Sequence, residues 1–216
     1  MSVDRERVAA LVTELLIAIG EDPDRPGLKQ TPQRVADAYA EFFAGVGEDP
    51  SEPLAHTISV SHGPAPDTIP SGAVVLRDIR FRSVCEHHLL PFAGRAHIAY
   101  LPGEQVVGLG ALPKVVDILA ARPQVQERLG EQIADTVASS LDARGVLVVL
   151  DAQHQCVTMR GSRQSDSSTL TVAARGELAE PSARAEIIAL IAPPSAASPA
   201  SANGRAGADD TAGDAR

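Results

Sequence analysis

No apolar run in this sequence approaches the ~18 residues that a membrane span requires. Positive charge is also short. Nineteen Lys and Arg stand against 28 Asp and Glu, a formal net charge of −9. That balance argues against non-specific nucleic-acid binding, which relies on a positive surface. An anionic small molecule still fits a local cluster of Arg and Lys. The opening MSVDRERVAALVTELL intermixes acids and bases along an amphipathic stretch and does not read as a secretory signal. With two cysteines and no export signal, the cytoplasm is the expected compartment. No internal repeat stands out. What is present is a chain of 216 residues, 44% apolar, enough for one large domain or two small ones with a real core.

The little cysteine there is falls in two short segments, Cys85-Glu86-His87-His88 and His154-Gln155-Cys156. Two thiols and an imidazole can hold a zinc ion with its fourth position open, the arrangement of catalytic rather than structural sites. Cys85 and His88 are three residues apart, which would place them on one side of a helical turn and direct His87 elsewhere. Residues 145–160 read as strand, turn, strand, so His154 and Cys156 would share a face that Thr158 and Arg160 continue. Two plainer readings stay open. A lone Cys in a strand is commonly just a small buried hydrophobe. A Cys85–Cys156 disulfide would also use both thiols, but it leaves the flanking histidines without a purpose.

Periodicity supplies the frame for these segments. Val8, Leu11, Leu15 and Ile19 predict a helix over residues 5–19, closed by the turn residues of 20–27. Thr31 as N-cap and Pro32 at the first helical position predict a second helix to about residue 45, burying Val35, Tyr39 and Phe42 or Phe43. A loop rich in Pro, Ser and Gly follows to about Gly72. Strands are expected at 73–82 and 94–100, the latter alternating Ala96, Ile98 and Tyr100 against Arg95, His97 and Ala99. Residues 112–121 read as a helix. After Pro123, the four-residue steps of Val125, Leu129, Ile133, Val137 and Leu141 predict a long amphipathic one. Further strands are expected at 145–150, 155–159 and 168–174. The sum is an α+β unit with an antiparallel sheet spanning residues 61–192, after a helical region at 1–60. Residues 193–216 collapse to Ala, Ser, Pro, Gly and Asp and are expected to be disordered.

Taken together, SVCEHHLLPFAGRAHIAYLP, RPQVQERLGEQIAD and the segment from His154 to Gly161 resemble GTP cyclohydrolase I. The lead-in GEDPDRPGLKQTPQRVADAY resembles that family as well, and the likeness runs in order from about residue 5 to 190. The resemblance implies a tunnelling fold, an antiparallel four-stranded sheet with two helices repeated around a ring. It further implies a toroidal homodecamer with active sites between subunits. The activity implied is opening of the guanine imidazole ring of GTP with loss of formate, giving 7,8-dihydroneopterin triphosphate, a first step toward tetrahydrofolate and other pterins. Position by position, Cys85, His88 and Cys156 match the zinc ligands. His87 and His154 match histidines beside the metal and the purine. Glu127 matches the carboxylate that grips the guanine edge, with Gln126 next to it. Arg160 matches a triphosphate contact, and Arg163 lies in the same basic stretch.

The chain departs from the family at two places. After Gly108-Leu109 the family usually shows Ser-Lys and, a few residues on, an arginine. Here Gly110 and Ala111 stand in the first two places, and Lys114 occupies the third. Lysine keeps the charge but not the bidentate fork. Beyond Arg160, Asp166 adds an acid near the expected anion site. Two alternatives follow from these changes: a zinc enzyme of the same fold acting on another purine or pterin nucleotide, and a non-catalytic ring-forming paralogue.

Overall fold

A computed structural model describes residues 3–59 and 72–191. The expected tail, and the stretch 60–71 of the expected loop, lie outside the described residues. The chain begins with two packed helices, α1 (Arg5–Ala18) and α2 (Thr31–Phe42). Asp4 caps α1 by accepting from the Arg7 N–H, and Gly20 turns the chain with φ +87°. The expected cap of α2 is corrected. Gln30 is the N-cap residue, without a side-chain bond, and Thr31 is already helical. The Thr31 N–H is bonded to the Leu28 carbonyl, so the chain enters α2 from a turn and needs no hydroxyl cap. Ala36 is the fully buried residue of α2. Val35, Tyr39, Phe42 and Phe43 are half-buried.

The core is a five-stranded sheet in the order β5-β2-β3-β6-β7. Its long members are β2 (Val74–Cys85), β3 (Pro91–Leu101), β6 (Gly145–His154) and β7 (Thr169–Gly176), and each pairs antiparallel with its neighbour. The short β5 (Pro123–Gln124) runs parallel to the end of β2. A separate two-stranded ladder joins β1 (Thr57–Ser59) to β4 (Gln105–Val107). Helix α3 (Ala111–Ala120) lies on β2, and α4 (Gln126–Leu141) lies on β6 and β7. Leu129, Ile133, Val137 and Leu141 of α4 are all buried in that layer, as their four-residue spacing requires. On the opposite face, α6 (Pro181–Ile191) covers part of the sheet through Ile187 and Ile191 against Leu147 and Val149.

One strand assignment fails. Residues 155–158 form a helical turn, α5 (Gln155–Thr158), so His154 and Cys156 do not share a strand face, and Thr158 and Arg160 do not extend one. Pairing supplies the reason. The partner strand β3 starts at Pro91, and the ladder ends at Phe92 opposite His154. Pro91, the residue next in register with Gln155, has no N–H to donate, and the Gln155 carbonyl instead accepts from the Met159 N–H.

Candidate functional site

Because β2 and β6 run in the same direction, with β3 antiparallel between them, both finish at one end of the sheet. Cys85 is the last residue of β2 and His154 the last of β6. Helix α4 begins at the same end, because β5 pairs Gln124 with Cys85 and the Glu86 N–H bonds the Gln124 carbonyl. Topology thus gathers the two His/Cys segments and Glu127, although they are scattered over seventy positions of sequence.

The two thiols meet. Cys85 is buried, Cys156 is half-buried, both are free, and their side chains are within hydrogen-bonding contact. No disulfide joins them. Burial pushes the Cys156 thiol pKa up, and the neighbouring Cys85 adds to the effect, while Arg160 works against it. A thiol pair whose ionisation is penalised by its own proximity is a donor set suited to a thiophilic divalent cation, which would stabilise both thiolates. That fits zinc with two of the three expected ligands. Among the described residues, no three His, Cys, Asp or Glu side chains are gathered closely enough to hold a metal. His88 stays apart in the exposed turn after Cys85, where the Leu89 N–H closes onto the Cys85 carbonyl at 2.8 Å. The His87 and His88 rings lie 6.4 Å apart and nearly perpendicular.

His154 is the best-defined imidazole here. Its ring stacks on Phe92, centroids 4.6 Å apart and planes 4° from parallel. Burial lowers its pKa, while the Glu127 carboxylate and the Ala152 backbone oppose that shift. Nδ1 is buried without a hydrogen-bond partner among the described residues. Phe92 was not singled out in the sequence. The ladder register that sets it opposite His154 is a tertiary fact.

Glu127 lies in the first turn of α4, exposed, with no hydrogen bond or ion pair among the described residues. Gln126 behaves differently. It is 1% exposed, so any ligand contact from this residue would come from its backbone. Arg160 and Arg163 are exposed in the turn after α5, where the Arg163 N–H bonds the Arg160 carbonyl and Arg163 adopts φ +52°. Lys114 is exposed on α3 and makes no side-chain hydrogen bond or ion pair among the described residues. A cavity of about 570 Å³ lies elsewhere, between α2, α3 and β2, and none of the candidate residues lines it.

The GTP cyclohydrolase I family model matches residues 8–192. This chain belongs to the GTP cyclohydrolase I family. A GTP cyclohydrolase 1 of Leifsonia xyli subsp. xyli is 63% identical over 188 residues, covering 87% of this chain and 95% of that protein. A GTP cyclohydrolase 1 of Streptomyces griseus subsp. griseus is 48% identical over 190 residues, covering 87% and 90%. A crystal structure of the archaeosine synthase QueF-Like in the apo form overlaps 50% of this chain and 97% of its own, at 18% identity and a TM-score of 0.40. Against the usual GTP cyclohydrolase I pattern, Gly110 is the N-cap of α3 and offers no side-chain cap. A serine there would supply a hydroxyl to the first turn.

Proposed function

We propose that this chain opens the guanine imidazole ring of GTP by hydrolysis, releases formate and yields 7,8-dihydroneopterin triphosphate, feeding tetrahydrofolate or other pterin synthesis. The observation that carries the proposal is the convergence of Cys85, Cys156, His154 and Glu127 on one end of the sheet in a chain of this family. Cys85, Cys156 and His88 would hold zinc. Bound there, zinc would lower the pKa of water to about 7 and so make hydroxide available at neutral pH.

The remaining work belongs to the protein's own groups. Glu127, unpaired in the first turn of α4, accepts hydrogen bonds from guanine N1–H and the 2-amino group. Adenine lacks that donor pair and would leave the carboxylate unsatisfied. His154, held flat by Phe92, protonates a purine nitrogen as hydroxide adds to C8. Burial works against the protonated ring that this donation needs, and the charge of Glu127 helps hold the proton on it. His87, in the exposed turn after Cys85, assists proton transfer as the ring opens. Arg160 and Arg163, with Lys114, meet the triphosphate by charge.

The sheet with α3 and α4 on one face supports a tunnelling fold. Leu170 and Val172, exposed on the edge strand β7, support a ring-forming homodecamer with sites shared between subunits. No helix among the described residues is long and apolar enough to cross a membrane. The uncapped Gly110 favours one second reading, a purine or pterin nucleotide with a different phosphate tail.

The test is GTP turnover by the zinc-loaded protein, following formate and the fluorescent oxidised neopterin together. Both products are expected in step. Absence of both, with metal bound and the oligomer intact, would overturn the proposal.

A further inference from the structure

The side chain of Gln126 ties the start of α4 to the end of the β6–β7 ladder, where Leu150 pairs with Thr171 and Ala152 with Thr169. Its Nε2 donates to the Leu150 carbonyl at 3.0 Å, to the Thr169 carbonyl at 2.8 Å and to the Thr171 hydroxyl at 3.2 Å. An amide nitrogen has two hydrogens, so these three acceptors share them. Leu150 lies in the second half of β6, and Thr169 is the first residue of β7. Between those two anchor points runs the whole segment that carries His154, Cys156, Arg160 and Arg163. Gln126 itself is the first residue of α4, and the next residue is Glu127. One buried amide therefore joins both stems of this segment to the backbone that presents Glu127.

The amide is also held in one orientation. Turned over, it would aim Oε1 at two carbonyl oxygens and leave Nε2 facing no acceptor. The observed orientation leaves Oε1 buried without a partner among the described residues, an arrangement that costs free energy and needs a compensating reason. Val125 before it is extended and gives α4 no side-chain cap, so the first turn of the helix has no local hydroxyl or carboxylate to fix it. This clasp, together with the β5 pairing and the buried face of α4, holds that turn in place.

We infer that Gln126 is a positioning residue for guanine recognition, setting the place of Glu127 relative to the segment that carries His154 and Cys156. This rests on the proposed GTP reading. It predicts a loss of discrimination rather than a uniform loss of activity. Inosine triphosphate keeps N1–H but lacks the 2-amino group, so the ratio of kcat/KM for GTP over inosine triphosphate reports how well the carboxylate is aimed.

The experiment measures that ratio for the full-length zinc-loaded protein and for Gln126→Met, which keeps side-chain length and apolar volume but donates nothing. The expected result is a fall in the ratio of about tenfold, carried by a KM for GTP that rises more than the KM for inosine triphosphate, which has only the N1–H contact to lose. A purely structural role would lower both substrates alike, and an unchanged ratio would overturn the inference. If Gln126→Met does not fold, Gln126→Asn carries the same test, because its shorter arm cannot span the three acceptors. Wild-type protein that turns over neither nucleotide would overturn the GTP reading, and this inference with it.

Discussion

The His154 ring lies parallel to Phe92, 4.6 Å away, with Phe92 itself 1% exposed. A buried aromatic floor thus fixes the plane of the imidazole at the point where β6 ends. His154→Ala is expected to slow formate release by about 10²–10⁴-fold, the usual range for a positioned acid or base. His87→Ala should instead let a formylated intermediate accumulate. Quenched-flow sampling of both variants for that intermediate checks the assignment. Phe92→Leu, close in volume, should cost about 1 kcal/mol of stability and lower kcat more than it changes KM.

Glu127 makes no hydrogen bond or ion pair among the described residues, so removing its charge breaks no internal bond, although it also removes the charge that raises the His154 pKa. Glu127→Gln is expected to lower kcat/KM for GTP by about a hundredfold or more, because the amide cannot accept both guanine donors. Metal content and thermal stability should stay at wild-type values. Metal analysis beside the kinetics separates this outcome from a damaged site.

Arg122 fastens the helical region to the sheet layer. Its Nε donates to the Gly45 carbonyl at 2.7 Å and its Nη2 to the Glu48 carbonyl at 2.6 Å. Gly45 in turn has no room for a side chain, since a Cβ would sit 2.0 Å from the Ile118 carbonyl oxygen. Arg122→Met should destabilise the protein by about 2 kcal/mol through the unpaired carbonyls. Gly45→Ala should cost about 1–3 kcal/mol by forcing α3 and the chain after α2 apart. Urea unfolding midpoints test both.

His97 gives a pH dependence whose sign can be worked out. Its Nδ1 accepts the Asp78 N–H at 3.2 Å within a bulge of β2, where Asp78 adopts φ +61°. Burial lowers the His97 pKa from 6.5, with Arg77 and Arg95 adding to the shift and Asp78 and Asp151 opposing it. The unfolded chain therefore takes up the proton first as pH falls through about 6.5. Stability is complete above that value and declines as pH drops toward the lower folded-state value. His97→Asn, whose carbonyl oxygen accepts without titrating, should flatten this decline. Thermal melts of both proteins at neutral and mildly acidic pH would show it, and parallel curves would rule out His97 as the cause.

The local order of this protein was legible in its sequence because local order depends on spacing and turn chemistry. The four-residue steps from Leu129 to Leu141 describe the buried face of α4, and alternation in residues 94–100 describes β3. The pairing of a histidine with each cysteine likewise marked the two segments that the sheet brings together. Three features depended on partners far away in the chain. Whether residues 155–158 became strand or helix was decided by where β3 begins, since a strand without a neighbour has unpaired backbone groups. That Phe92 would lie under His154 followed from ladder register, which no one segment encodes. Gln126 looked like a neighbour of the ligand-gripping Glu127. Only the packing of α4 across β6 and β7 turned its amide inward, because the acceptors it needs belong to strands about 24 and 45 residues further along the chain.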